Sequence, residues 1–379
     1  MSKYLVMSPL IERSPPFLEF ENLWVTLVQM VGLEIVQSVT PEQWVSYYTN
    51  IHKTLNSTPT LSKEQIYQRI QTLATYRKKL QILQDIPKMQ QRTEEWYAQR
   101  RNMLTASDLA SVLNKSKFAT RKAVLQKKIE ECRNSGTTFN ASAPPLKWGV
   151  MYEPVALRCY LDQRGNVSCH DFGLIAHPNP EIPFGASPDG ITEHGIMVEL
   201  KCPYKRVIEH GTVPEQYYLQ IQGQLEVCNL DECDYVECVI EELFSTTEYL
   251  QSLENVKQHG AVLEWVNEHT KETSYEYSQS GLTGMEVVTW SECHAERRME
   301  REPELQLVAI HCWRLKDMNL VRVYRDTVLW NSIEQEIKDF WNEVKTHREN
   351  GTLPPKSTRS SSKEGKEPKK MKIEFRQDD

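Results

Sequence analysis

The chain has 379 residues, of which 39% are hydrophobic and 26% charged, with only 15 Gly and 19 Pro. That length and balance exclude a small disulfide scaffold, a fibrous protein and a chain disordered throughout, and predict an enzyme-sized body with a substantial core. The net charge of −7 argues against a surface coated in basic residues, yet a locally positive groove still focuses a polyanion, so nucleic acid stays open as a partner.

The first part, residues 1–90, reads as a helical extension. Its most apolar stretch, Trp24 to Val39, is short and carries Gln29 and Glu34, so it fails as a membrane span and lies too far inside the chain for a signal peptide. Ser62 and Gln65 have capping-box spacing, and Ile66, Ile70, Leu73, Leu80 and Leu83 then recur at helical spacing up to Pro87. That stripe is expected to be core or a docking face.

The second part, residues 91–350, mixes strand and helix signals and predicts an α/β (α+β mixed) body with a central mixed sheet flanked by helices. Phe172 to His177, Phe184 to Ala186 and Ile196 to Lys201 are short, turn-bounded strand candidates. A helix is predicted over Pro214 to Val227, a strand over Tyr235 to Ile240, and a hairpin of Leu305 to Arg314 and Leu320 to Arg325 turning at Asp317-Met318-Asn319. A helix over Val328 to Glu349 follows. The third part, residues 351–379, is expected to be a disordered basic tail, in which Lys366, Lys369, Lys370 and Lys372 suit a nuclear address, a phosphate-grasping arm or plain solubility.

Nine cysteines, an odd number without a secretory signal, predict reduced thiols in a cytoplasmic or nuclear protein that is not secreted. Cys228, Cys233 and Cys238 recur every five residues, unlike zinc or iron–sulfur ligand pairs, and are expected to be buried.

The segment that carries chemistry runs from Gly185-Ala-Ser-Pro-Asp-Gly190 into Ile196-Met-Val-Glu-Leu-Lys201. In a strand over 196–201, Met197, Glu199 and Lys201 share one face, and a hairpin returns the Asp189 carboxylate to the same end as Glu199. Two such carboxylates, with the Leu200 carbonyl, suit Mg²⁺, and Mn²⁺ as its substitute. With Lys201 steadying nucleophile or phosphate, the chemistry is phosphodiester hydrolysis. The triplet Glu-x-Lys alone carries little weight, because it also starts at Glu336, Glu343, Glu364 and Glu367. Only Glu199 follows a Pro-Asp-Gly turn among β-formers.

Pro188-Asp189, nine further residues and Glu199-Leu200-Lys201 resemble the PD-(D/E)-x-K nuclease superfamily. Within it, Thr93 to Ile240 is similar to the YqaJ-like viral recombinase family of lambda-type exonucleases. The blocks, in family order, are Trp96-x3-Arg100-x4-Thr105-Ala106-Ser107, Trp148-Gly149-x3-Glu153-Pro154, Ser187-Pro-Asp-Gly190, Glu199-Leu-Lys-Cys-Pro203 and Tyr218-x-Gln220-x-Gln222. The resemblance implies Asp189, Glu199, the Leu200 carbonyl and Glu153 as metal ligands, Lys201 as catalytic lysine, and a glutamine, Gln220 or Gln222, at the scissile region. It implies Arg100, Ser107, Lys117 and Ser187 as the residues that hold a 5′-terminal phosphate. Taken without the family, Glu153 before Pro154 reads as a helix start, and Arg100 and Ser107 as an exposed helix face and an N-cap.

The resemblance further implies a Mg²⁺-dependent exonuclease acting on double-stranded DNA ends, degrading 5′→3′ and leaving 3′ overhangs for recombination, replication or repair. A single-strand annealing protein and a homo-oligomer belong to the same expectation, membranes do not, and the pattern looks most like the versions of large DNA viruses of eukaryotes. Competing readings are an endonuclease of the same superfamily and a decayed nucleic-acid or protein-binding module. An iron–sulfur nuclease lacks the clustered cysteines it needs. Residues 1–90 and 241–304 have no counterpart in the resemblance.

Overall fold

In the computed structural model, which describes residues 5–6, 11–12, 17–31, 33–54, 56, 58–88, 93–133 and 143–354, two short strands, β1 (Leu5–Val6) and β2 (Ile11–Glu12), precede four helices. These are α1 (Leu18–Val31), α2 (Leu33–Ser38), α3 (Pro41–Thr54) and α4 (Lys63–Gln84). The capping box begins α4: the Gln65 N–H donates to Ser62 Oγ at 3.2 Å and the Ser62 N–H donates to Gln65 Oε1 at 2.8 Å, which satisfies two donors that a helix start leaves open. Ile66 and Leu73 join Phe20, Trp24, Trp44 and Tyr48 in a small core, while Leu80 and Leu83 reach into the main one. The tail lysines Lys366, Lys369, Lys370 and Lys372 lie outside the described residues.

The chain continues through α5 (Glu94–Arg101), β3 (Leu104–Thr105), α6 (Ala106–Val112), α7 (Arg121–Arg133) and α8 (Pro144–Gln163). Five short strands follow, β4 (Cys169–His170), β5 (Ile175–Ala176), β6 (Phe184–Ala186), β7 (Gly190–Thr192) and β8 (Met197–Lys201). The remainder is β9 (Val213–Pro214), α9 (Glu215–Cys228), β10 (Glu232–Leu243), α10 (Thr246–Gln251), β11 (His259–Asn267), β12 (Thr273–Tyr277), α11 (Gly284–Arg301), β13 (Leu305–Tyr324) and α12 (Thr327–Glu349). Cys228, Cys233 and Cys238 are buried.

The main sheet runs β12-β11-β13-β10-β8-β7-β4, with β2 also on β13; β8 and β10 are parallel and every other pair antiparallel. A three-stranded sheet, β3-β6-β5, lies beside it. Alternation along β8 decides the layers. Met197, with Cys233 and Tyr235, faces a core built from α6, α7, α9 and α12, whereas Val198 and Leu200, with Val236 and Cys238, face α8. The result is the expected mixed α/β architecture, a mixed sheet with helices on both faces.

The predicted late hairpin is a single 20-residue strand. Asp317-Met318-Asn319 stays in the ladder opposite Val239, Cys238 and Glu237, and a register shift between Val239 and Ile240 absorbs the irregularity. With neither Gly nor Pro in the triplet, nothing forces a reversal, and both ends of β13 find partners: β11 along its first half, β10 along its second. Residues 241–304 accordingly extend the main sheet through β11 and β12 and cover that extension with α10 and α11.

Candidate active site

The β7–β8 register pairs Gly190 with Val198 and Ile191 with Met197, and its continuation by one residue sets Asp189 opposite Glu199. The Leu200 N–H donates to Asp189 Oδ2 at 2.7 Å, fixing the carboxylate against the neighbouring strand. At the far end of the hairpin, the Thr192 and Gly195 N–H groups close the turn on Ile196 O and Thr192 O, each at 2.8 Å. Gly195 has φ +72°, and a Cβ there would stand 2.7 Å from Tyr76 of α4, so the position requires glycine on both counts.

Glu199 is fully buried, and both of its oxygens are engaged. Oε1 accepts from Lys201 Nζ and from Gln220 Nε2, the latter at 2.6 Å, while Oε2 accepts from Gln224 Nε2 at 2.8 Å. Gln220 and Gln224 lie one turn apart on α9 and so point the same way. Gly223 between them lets α9 approach β6, where an added Cβ would meet the Phe184 ring at 2.8 Å. Lys201 Nζ also sits 5.1 Å from the centre of the Tyr217 ring.

Burial, then the charge of Glu199, pushes the Asp189 carboxyl well above its usual range; Glu153 adds to that, and Lys201 and the Leu200 N–H oppose it. Burial works against the Lys201 ammonium, but Glu199 and Asp189 outweigh it and hold the amine charged. Two carboxylates facing one another in a buried site form a donor set that suits a hard divalent cation, so Asp189 and Glu199 fit Mg²⁺. Glu153 does not complete a three-carboxylate cluster: among the described residues, no three His, Cys, Asp or Glu side chains gather closely enough to hold an ion by themselves. Glu153 sits exposed in the middle of α8, which starts at Pro144 and runs through Pro154, so the reading of Glu153-Pro154 as a helix start is corrected.

Next to Glu199 a small cleft of ≈ 60 Å³ is lined by Arg100, Ser107 and Ser187 together with Thr105, Gln220 and Gln224. Arg100 lies in the last turn of α5 with its guanidinium 5.0 Å over the Trp96 ring. Ser107, exposed in the first turn of α6, is 3.1 Å from Thr105 Oγ1 and is not the N-cap, which is Thr105. Lys117 stands outside this lining, in the exposed segment after α6, where its backbone N–H donates to Gln216 at 3.3 Å.

Gln222 points elsewhere. It is buried, donates to Tyr324 O at 2.9 Å and accepts from the Asp326 N–H at 2.7 Å, so it ties α9 to the end of β13 and the start of α12. The partner of Gln220 on Glu199 is Gln224, which sequence reasoning did not single out, although its i+4 spacing from Gln220 was the available signal. Tyr217 was missed as well, because nothing local distinguishes it from Tyr218.

Residues 95–231 match the YqaJ-like viral recombinase domain. All of the carboxylates, the lysine, the glutamines and the cleft described above fall inside this YqaJ-like domain. The chain is 28% identical over 190 residues to an uncharacterized protein of Acanthamoeba polyphaga mimivirus, covering 46% of this chain and 33% of that one. It is 27% identical over 177 residues to a protein of African swine fever virus, covering 38% and 48% respectively. The chain thus spans between a third and about half of the curated relatives it matches. LHK-Exo, an alkaline exonuclease from Laribacter hongkongensis, matches at 22% identity over 68% of this chain and 95% of its own, with TM-scores of 0.43 in its dAMP complex and 0.42 in a second crystal structure. No described helix is long and apolar enough to cross a membrane.

Proposed function

We propose that this protein is a metal-dependent deoxyribonuclease that removes nucleotides from the 5′-ended strand of duplex DNA and leaves a 3′ overhang for recombination or repair. The observation that carries the reading is the opening of a cleft lined by Arg100, Ser107 and Ser187 directly onto the glutamines that hold Glu199, opposite Asp189. A guanidinium and two hydroxyls suit a terminal phosphate, and their nearness to the carboxylates sets the cut close to a strand end. The YqaJ-like domain match, with relatives in two large DNA viruses, supports the same reading.

Asp189 and Glu199 would hold the cation, with the Leu200 carbonyl as a further oxygen donor, and Glu153 adds negative potential from α8. When bound there, Mg²⁺ or Mn²⁺ supplies Lewis acidity toward a phosphoryl oxygen. Gln220 and Gln224 fix the Glu199 carboxylate so that it does not rotate away. Lys201, kept charged by its two acidic neighbours, offsets negative charge that builds on the phosphate as the P–O bond breaks. Arg100, Ser107 and Ser187 set the register of the strand by its terminal phosphate.

The test incubates 5′-phosphorylated, 5′-hydroxyl and covalently closed circular duplexes with Mg²⁺, with and without chelator. The expected result is chelator-sensitive loss of the phosphorylated linear duplex, slower loss of the hydroxyl form, an intact circle, and no loss with Asp189→Ala. Cleavage of the circle would make the protein an endonuclease, and full activity of Asp189→Ala would overturn the metal assignment.

A further inference from the structure

Lys128 of α7 is fully buried, yet it takes no part in the chemistry above. Its Nζ donates to the Arg100 carbonyl at 2.9 Å and lies 3.6 Å from Glu131 Oε2. The adjacent Lys127 reaches α6, its Nζ lying 3.9 Å from Asp108 Oδ1 in the first turn of that helix; the Asp108 carboxylate, whose charge also favours the Lys128 ammonium, accepts from Thr105 Oγ1 at 3.0 Å, and Thr105 is in turn 3.1 Å from Ser107 Oγ. This stretch of α7 therefore touches both segments that supply the cleft, Lys128 at the end of α5 with its guanidinium and Lys127 at the start of α6 with its exposed hydroxyl. A cation at the last carbonyls of α5 also complements that end of the helix. Arg348 of α12 completes the brace, donating to Arg101 O at 2.7 Å and to Lys128 O at 2.6 Å.

We infer that Lys128 is the positioning residue of the terminal-phosphate cleft: by holding the Arg100 backbone on α7, which meets the start of α6 through Lys127, it sets the distance between Arg100 and Ser107, and so the preference for a phosphorylated 5′ end. This rests on the proposed reading of the cleft. A purely structural lysine would be a poor choice at this place. Burial draws its amine down to about 8, with Lys127 and Arg100 opposing the charge and Asp108 and Glu131 only partly restoring it. The charge is retained against a cost to the fold, and what it reaches is the backbone of Arg100.

The experiment measures the ratio of kcat/KM on 5′-phosphorylated to 5′-hydroxyl linear duplex for the wild type, Arg100→Ala, Lys128→Met, Lys128→Arg and Arg348→Met, each checked by thermal melting. Lys128→Met is expected to lower the ratio roughly tenfold, the size of one misplaced charge-assisted contact. The loss should lie in KM for the phosphorylated duplex, while kcat on the hydroxyl duplex holds. Lys128→Arg should regain part of the ratio, and Arg348→Met should lower it by the same route, which keeps the test decisive if Lys128→Met does not fold. Should Arg100→Ala leave the ratio at the wild-type value, the cleft reading itself fails and takes this inference with it. Should Arg100→Ala abolish the preference while Lys128→Met, or Arg348→Met in its place, retains it, the cleft reading stands and the positioning role of Lys128 is overturned.

Discussion

Two glutamines on one helix, two residues apart, have opposite jobs. Gln224 donates to Glu199, whereas Gln222 spends both ends of its amide on the backbone of Tyr324 and Asp326. Gln224→Ala should therefore slow cleavage about tenfold, since it frees one oxygen of a buried carboxylate while leaving its other contacts in place. Gln222→Ala should instead cost about 1–3 kcal/mol of stability, as two half-buried backbone groups lose their partner, with kcat near the wild-type value. Paired melting curves and single-turnover rates on the two variants check the assignment; a slower rate for Gln222→Ala at unchanged melting temperature would reverse it. A helical period of 3.6 residues separates i from i+2 by a large angle, so one of Gln220 and Gln222 had to leave the site. Which one left depended on the side of α9 that meets β8, and that is a packing outcome.

Three strands meet at His311, whose ring lies between Glu242 of β10 and Glu264 of β11, 3.1 Å from each. Burial disfavours the imidazolium, but the two carboxylates prevail and raise its pKa above the ordinary 6.5. A group bound more tightly by its proton in the folded state stabilises the fold fully below its unfolded pKa and loses that contribution as pH rises through the folded value. Stability is accordingly expected to decline from about pH 6.5 upward through the raised value, with the unfolded reference near 6.5. His311→Gln should flatten that slope in urea titrations between pH 6 and 8.5; an unchanged slope would remove the clamp from the account. The sheet extension joined by this contact belongs to residues 241–304, whose strands the sequence left unplaced. Their partner, β13, was expected to fold back on itself, and a strand able to pair on either side carries no local signal of which neighbour it will take.

Across the whole molecule, the N-terminal helices are locked to the sheet by charge as well as by apolar contact. Glu21 of α1 and Arg69 of α4 meet Glu232 and Asp234 of β10, Arg322 of β13 and Arg164 after α8; three cations and three anions, each at most 3% exposed. Arg322 Nε donates to Asp234 Oδ1 at 2.5 Å, and Arg69 Nη2 donates to Glu232 Oε2 at 2.9 Å. Balanced in this way, the cluster is not a strong net source of stability, but removal of one member strands its partners in a dry interior. Arg69→Met is expected to destabilise by roughly 3–5 kcal/mol, read by chemical denaturation. A loss below about 1 kcal/mol would show that water reaches the cluster. Because α4 also abuts the turn of the hairpin at Gly195, the extension braces the strands that present Asp189 and Glu199.

The sequence by itself determined that Asp189, Glu199 and Lys201 gather at one end of two strands, because period-two alternation and Glu-x-Lys spacing are local; the reversal between the strands lies at Glu193–Gly195, and Pro188-Asp189-Gly190, read as the turn, instead opens β7. It also determined α4, α9 and α12, whose caps and apolar spacing lie within single segments. The tertiary structure alone decided that Gln224 replaces Gln222 at Glu199, that β13 runs unbroken between two neighbours, and that residues 17–85 attach through six buried charges. Each of these depends on which distant segment arrives alongside. Contacts across more than a hundred residues, such as Glu21 with Arg322, are fixed by the closing of the core around them, and no spacing along the chain records them.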